Sequence, residues 1–311
     1  MNVNDLVSIV VVTYNSSPYV IETLESVKQQ TYQNIELIVT DDSSTDDTIA
    51  KATKWIDDNS QRFTNVKIVI TTQNGGISKN CNQGYKNTQA EYLKFIAGDD
   101  LLLQNCIQDN VDFVINNTDA SIVFSDMILF GENIEDINLK QCFMDDFVKK
   151  IDVDAKTQFQ RIIKREMIIA NSPSVFIKKE LLDKMGGFDE RFPMLDDLPL
   201  WTKIAYNGIK LYYFDKKTVM YRIGYSSASA LLSKNPVNGK ALASYYQYCV
   251  MVRAKHLSGL DYWDNLIQIL IFKLCFICGN KRSALRALRC LNLLNPKAYW
   301  RKIKKLYLQS P

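Results

Sequence analysis

The segment YLKFIAGDD, residues 92–100, runs from six strand-forming residues straight into a glycine and two adjacent aspartates. Adjacent carboxylates repel, and holding them at the end of a buried strand is costly unless something positive meets them there. A solvated turn is one reading, because Gly-Asp-Asp is good turn chemistry. A metal site is the other. The rest of the chain bears on the choice.

On either side of this segment, strand and helix signals alternate. Residues 7–12 (VSIVVV) are a β-branched run of the kind covered on both faces of a sheet. Ser17 and Pro18 supply a cap and a first-turn residue, and Val20, Leu24 and Val27 follow at helical spacing. IELIV (35–39) is a second strand; Ser44 with Asp47 resembles a capping box opening a helix that runs to about Asp58. VKIVI (66–70) is a third strand, followed by a glycine-rich lead into a third helix; YLKFIA (92–97) and SIVFS (121–125) are the fourth and fifth. This alternation predicts an α/β fold with a doubly wound, mostly parallel sheet, whose ligands bind at the carboxyl ends of the strands. Those ends carry Thr13, Tyr14 and Asn15, then Asp41 and Asp42, then Asn74, Gly75 and Gly76, then Asp99 and Asp100. A solvated turn accounts for any one of these and poorly for all four on one edge.

Several chemistries are excluded. No G-x-G-x-x-G follows the first strand and no G-x-x-x-x-G-K-[ST] occurs, which removes the usual dinucleotide and P-loop sites. The single histidine, His256, lies far from the strand ends, against a histidine triad or a histidine-rich metal centre. Composition is that of a globular protein, 47% hydrophobic and 23% charged over 311 residues. Seven scattered cysteines fit a reducing compartment, and Cys275 and Cys278 are expected in the core of an apolar helix rather than on zinc. Residues 1–15 show neither a basic leader nor a small-residue cleavage site, so a signal peptide is not expected.

Oxygen ligands select hard cations, Mn²⁺ or Mg²⁺, which keep some waters and complete their shell with phosphate oxygens. A carboxylate after the second strand with Tyr14 nearby suits a nucleoside, through hydrogen bonding and stacking. Residues 7–48, with NGGISKNCNQG (74–84), the Gly-Asp-Asp at 98–100 and residues 186–208, resemble the inverting family 2 glycosyltransferases of GT-A fold, of the bacterial O-antigen and capsule type. The resemblance implies a UDP-sugar donor. Asp42 would bind the nucleoside beside Thr13, Tyr14 and Asn15, Gly76 and Lys79 would lie along the diphosphate, Asp99 against the nucleotide, and Asp100 on the metal. It assigns the catalytic base to Asp197, in LDDLPLW. An inverting transfer independently asks for one such base apart from the metal carboxylates.

Two positions depart from the family pattern. Cys81 stands where many relatives have an arginine, leaving Lys79 either to reach the diphosphate or to remain a solvated surface lysine. Gly224 stands where relatives often have a histidine, so the cation rests on Asp100, diphosphate and water, or draws on Arg222 or Ser226.

Residues 265–311 hold ten Lys or Arg and no acidic side chain, while residues 1–264 hold the other 28 basic and all 34 acidic ones. Residues 262–278 read as a buried helix, and the segments after it as basic amphipathic helices that pack on a protein surface or lie on an anionic membrane. The expected organisation is a GT-A domain at 1–225, with a nucleotide-sugar half (1–125) and an acceptor half (126–225), and a helical extension at 226–311. The expected activity is transfer of a hexose (glucose, galactose or an N-acetylhexosamine) to an undecaprenyl-diphosphate-linked saccharide at the cytoplasmic face of the inner membrane. Nucleic acid is not an expected partner, self-association is open, and a catalytically silent sugar-nucleotide-binding or scaffold subunit is the alternative.

Overall fold

Val7–Thr13 forms β1, the strand from which the sheet grows, with only Val12 less than fully buried. Parallel neighbours lie on both sides: β2 (Ile35–Asp41) and β4 (Tyr92–Ala97), with β3 (Asn65–Ile70) beyond β2. β1, β2 and β4 are covered on both faces and so need apolar runs, each buried Val, Leu or Ile being worth about 1.5–3 kcal/mol, whereas β3 is the edge strand and stays partly exposed. The computed structural model describes residues 1–2, 4–131, 151–167, 172–223 and 239–279, together with Leu291 and Lys297.

Four helices flank this half. α1 (Val20–Lys28) turns Val20, Leu24 and Val27 onto the sheet, as the spacing predicts. α2 is Thr48–Asn59, α3 Ile77–Lys86 and α4 Cys106–Asn116. Trp55 on α2 donates its indole N–H to Glu25 of α1 at 2.6 Å. Arg62 closes the carboxyl end of α1, donating to the carbonyls of Lys28, Gln30, Tyr32 and Gln33.

The expected helix starts are corrected. α2 begins at Thr48, and the Ser44–Asp47 capping box does not form: the Ser44 hydroxyl donates to Asp41 instead, while Asp46 accepts from Thr48 N. α1 begins at Val20, led in by a turn in which Ser16 O accepts from Tyr19 N and Val20 N.

Beyond β4 the sheet changes character. Its order is β3-β2-β1-β4-β7-β6-β8-β5, with β5 Leu101–Leu102, β6 Ile122–Gly131, β7 Phe176–Lys178 and β8 Tyr212–Ile223. β7 is antiparallel to both β4 and β6, β8 is parallel to β6, and the two-residue β5 is antiparallel to β8. The fifth expected strand thus runs six residues further than its apolar signal, bulging near Asp126. α5 (Ala155–Ile163), α6 (Lys179–Met185) and α7 (Asp197–Tyr206) complete this half.

The chain divides into two compact units, residues 1–227 and 228–311. In the second, α8 (Gly239–Tyr248) runs through a π-helical turn at Cys249–Arg253 and a short turn at Ala254–His256, and α9 follows at Gly259–Ile277. α9 is only partly the buried helix expected: it buries Asp264, Asn265, Ile271 and Cys275, while Trp263, Leu270 and Ile277 are exposed. Cys275 is a core residue but Cys278 is exposed. Arg253 is buried, donating to Asn265 at 2.8 Å with the Asp264 carboxylate 3.7 Å away. Among the described residues no helix is long and apolar enough to cross a membrane. Apart from Leu291 and Lys297, the basic segments after Gly279 lie outside the described residues, as do Gly224 and Ser226.

Candidate active site

The two aspartates that end β2 have different tasks. Asp41 accepts three hydrogen bonds, from Thr13 Oγ1 (2.7 Å), Ser44 Oγ (2.6 Å) and Ser44 N (2.7 Å), so it pins the turn beneath the site. Thr13 is buried with its hydroxyl committed to Asp41, and it forms part of the floor. Asp42 reaches the next strand's loop: one carboxylate oxygen accepts from Gly75 N and the other from Gly76 N, both at 2.8 Å. A carboxylate oxygen has more than one acceptor direction, so Asp42 retains capacity for a ligand's donor. Tyr14 stands 50% exposed at the rim. Asn15 adopts φ +50° and accepts from Thr45 N at 2.9 Å, joining the loops after β1 and β2.

Gly76 leads into α3 at φ +90° and ψ 171°. A Cβ there would lie 2.4 Å from Pro193 O, so this glycine lets α3 meet the segment before α7. The stem of Lys79 covers Gly75 on the same turn. Ser78 Oγ donates to Phe192 O at 2.8 Å, and Asn82 engages Phe188 N, Phe188 O and Glu190 Oε1 at 2.8, 2.9 and 2.8 Å. α3 thereby fixes residues 186–196, and with them the start of α7.

At the end of β4, Asp100 is buried. Oδ1 accepts from Arg222 N at 2.7 Å, whereas Oδ2 has no hydrogen-bond partner. Burial, and secondly the Asp99 charge, push the Asp100 carboxyl well above the usual carboxylate range; burial raises Asp99 as well. Arg222, near the end of β8, donates through Nε to Asp99 O at 2.7 Å and through its terminal nitrogen to Glu22 at 2.6 Å. Its guanidinium lies 4.4 Å from the ring centroids of both Tyr19 and Phe130. This clamp ties α1, the Gly-Asp-Asp turn and β8 together.

Asp197 is the first residue of α7. Oδ2 accepts from Ser172 Oγ at 2.7 Å and Oδ1 from Leu198 N at 2.6 Å. Burial raises Asp197; burial, then the Asp197 charge, raises Asp196 to about 7. On α3, Cys81 is driven well up by burial and then by the charges of Asp196, Asp197 and Asp42. The carboxylates expected for nucleoside and base therefore gather about one helix. Among the described residues no cluster of three or more His, Cys, Asp or Glu forms a metal-binding array.

The sequence model of glycosyl transferase family 2 matches residues 8–178. The chain belongs to glycosyl transferase family 2. An uncharacterized glycosyltransferase of Rickettsia typhi is 28% identical to this family 2 chain over 218 residues, covering 69% of it and 63% of the relative. The minor teichoic acid biosynthesis protein GgaB of Bacillus subtilis is 25% identical over 253 residues, 80% of this chain and 26% of GgaB. The chain therefore spans less than two thirds of the length of either relative. Among solved structures, S. aureus TarS 1–349 in complex with UDP-GlcNAc matches with a TM-score of 0.58 at 19% identity, over 88% of this chain and 73% of that one. Mannosyltransferase PcManGT from Pyrobaculum calidifontis, in complex with GDP-Man and Mn²⁺, matches with a TM-score of 0.60 at 17% identity, over 97% and 79%. The fold is that of the GT-A glycosyltransferases.

Glu22, Ser172 and Lys94 escape a sequence reading of this family 2 site, and Arg222 appears in it only as an alternative. Glu22 and Ser172 sit in ordinary surroundings with no local signal. Lys94 did carry one: a lysine in the middle of a strand that the sheet covers on both faces.

Proposed function

We propose that this family 2 member is an inverting transferase that moves a hexose from a UDP-sugar to a saccharide hydroxyl, with Asp197 as the base. The carrying observation is the gathering of Asp42, Asp196 and Asp197 about α3, with Asp197 held by Ser172. A base apart from the Gly-Asp-Asp carboxylates suits a single displacement, in which the acceptor hydroxyl loses its proton as the sugar leaves the diphosphate. A base works best with a pKa near the operating pH, and burial moves this pair in that direction. Asp42, held by the Gly75 and Gly76 amides, binds the nucleoside with Tyr14; Gly76, Lys79 and Asp99 serve the diphosphate.

A divalent cation fits Asp100. Its Oδ2 is a buried carboxylate oxygen without a partner, beside a second carboxylate, and one or two protein oxygens are the usual share for Mg²⁺ or Mn²⁺. Asp100 would hold it, with diphosphate and water supplying the other ligands, and it would supply charge stabilisation to the leaving diphosphate. The acceptor in this reading is a lipid-linked saccharide of O-antigen, capsule or teichoic-acid type, met at the cytoplasmic membrane surface by the basic C-terminal segment. The names of GgaB and TarS's UDP-GlcNAc complex support the cell-surface polymer and the UDP donor.

Radiolabelled UDP-hexoses with Mn²⁺ and a synthetic GlcNAc-diphosphate-lipid test the reading. Transfer from one donor is expected, abolished by EDTA and lowered about 10²–10⁴-fold by Asp197→Asn while UDP still binds. Absence of UDP binding by the wild-type protein would sink it.

A further inference from the structure

Among the described residues, Lys94 is the only lysine that is fully buried. It lies mid-way along β4, where removing an ammonium from water is expensive, and burial lowers it to about 8. Its Nζ donates to Pro173 O at 2.7 Å and to Val175 O at 3.3 Å. These two carbonyls belong to the 3₁₀ turn Ser172–Ser174 and its exit. The first residue of that turn donates its hydroxyl to Asp197 Oδ2. Ser174 fastens the turn from the other side, its Oγ accepting from Ser125 N of β6 at 3.3 Å. One strand thus ends in Asp99 and Asp100 and, from its middle, holds the support of Asp197.

We propose that Ser172 and Lys94 are positioning residues for Asp197: Ser172 orients the carboxylate through its hydroxyl, and Lys94 holds Ser172 in place by clamping the carbonyls of Pro173 and Val175. This rests on Asp197 being the base. With Oδ2 held by Ser172 and Oδ1 by Leu198 N, the carboxylate has a fixed plane and keeps a lone pair for the acceptor proton. The titratable groups facing it are Asp196 beside it and Cys81 from α3. Hydrogen bonds, rather than a paired cation, are what favour its charged form.

The test follows the Asp197 carboxyl ¹³C signal by NMR against pH in the full chain, assigned by its loss in Asp197→Asn. Ser172→Ala is expected to raise the midpoint by about one pH unit, the effect of losing one hydrogen bond to a charged group, and Ser172→Thr to restore it. Lys94→Met is expected to raise it comparably, and the double variant no further than Ser172→Ala alone. A merely structural lysine would lower Tm and leave the midpoint alone; a lysine acting through space would give shifts that add. Either result, or an unmoved midpoint in Ser172→Ala, overturns the proposal. Lys94→Gln, which keeps a donor but shortens its reach, replaces Lys94→Met if that variant does not fold, with the same outcomes. Loss of transfer in Asp197→Asn without a shift in Ser172→Ala removes this inference alone; retained transfer in Asp197→Asn removes the base reading itself.

Discussion

Gly76 is in a backbone region that is essentially closed to other residues, at φ +90° and ψ 171°. Strain of this kind costs about 1–3 kcal/mol for a residue with a side chain, and a Cβ would also press on the Pro193 carbonyl. Gly76→Ala is therefore expected to lower unfolding stability by about 2 kcal/mol or more in urea titration. It is also expected to weaken UDP binding, because the Gly76 amide would leave Asp42. Unchanged stability in this variant would mean that the turn relaxes freely, and that Asp42 alone shapes the loop.

At the level of helices and loops, Asn82 joins α3 to the segment that precedes α7. Its amide satisfies both the N–H and the carbonyl of Phe188 and a Glu190 oxygen. Asn82→Ala leaves the two backbone groups without partners in a buried place, at about 1–3 kcal/mol for each group left unsatisfied. The expected outcome is a fall in stability of about 2–3 kcal/mol and a fall in transfer rate larger than the loss of UDP affinity. Isothermal titration with UDP beside a rate assay separates the two. Equal losses would place the loop in donor binding instead.

For the molecule as a whole, four carboxylates at the site are raised by burial: Asp99, Asp100, Asp196 and Asp197. An acid whose folded value lies above its unfolded one keeps its proton in the fold after the unfolded chain has released it. Its contribution to stability is full below the unfolded value and is lost as pH rises through the folded value. For Asp196 that window runs from roughly 4, the ordinary aspartate value, up to about 7. Asp46, Asp154 and Asp189 are shifted down and act in the opposite sense, but only below the ordinary aspartate range. Metal-free protein is therefore expected to lose Tm between pH 5 and about pH 7, and Asp196→Asn to flatten that slope. Mn²⁺ with UDP is expected to recover part of the loss at pH 8, by engaging Asp100. A Tm that rises across this range would contradict the assigned burial.

The first half of the sheet was legible in the chain because its strands are mostly apolar, β-branched runs followed by polar residues. Val7–Thr13, Ile35–Asp41, Asn65–Ile70 and Tyr92–Ala97 all lie where that pattern puts them, and their carboxyl ends carry the residues read as a site. The second half was not, since β5, β7 and β8 are too short or too polar to announce themselves and are strands through their partners. Local chemistry also misleads where a long-range partner competes: Ser44 could cap α2, yet Asp41 takes its hydroxyl. Carboxylate identity is written in the sequence; carboxylate environment is not. Asp41 and Asp42 are neighbours of the same type, and only the folded loops make one a structural pin and leave the other facing Gly75 and Gly76. The same holds for Lys94, Ser172 and Arg222, whose contacts span 25 to 200 positions along the chain. Periodicity records what a residue does with its near neighbours, whereas a hydrogen bond to a distant carbonyl or carboxylate exists only once the sheet has brought the two together.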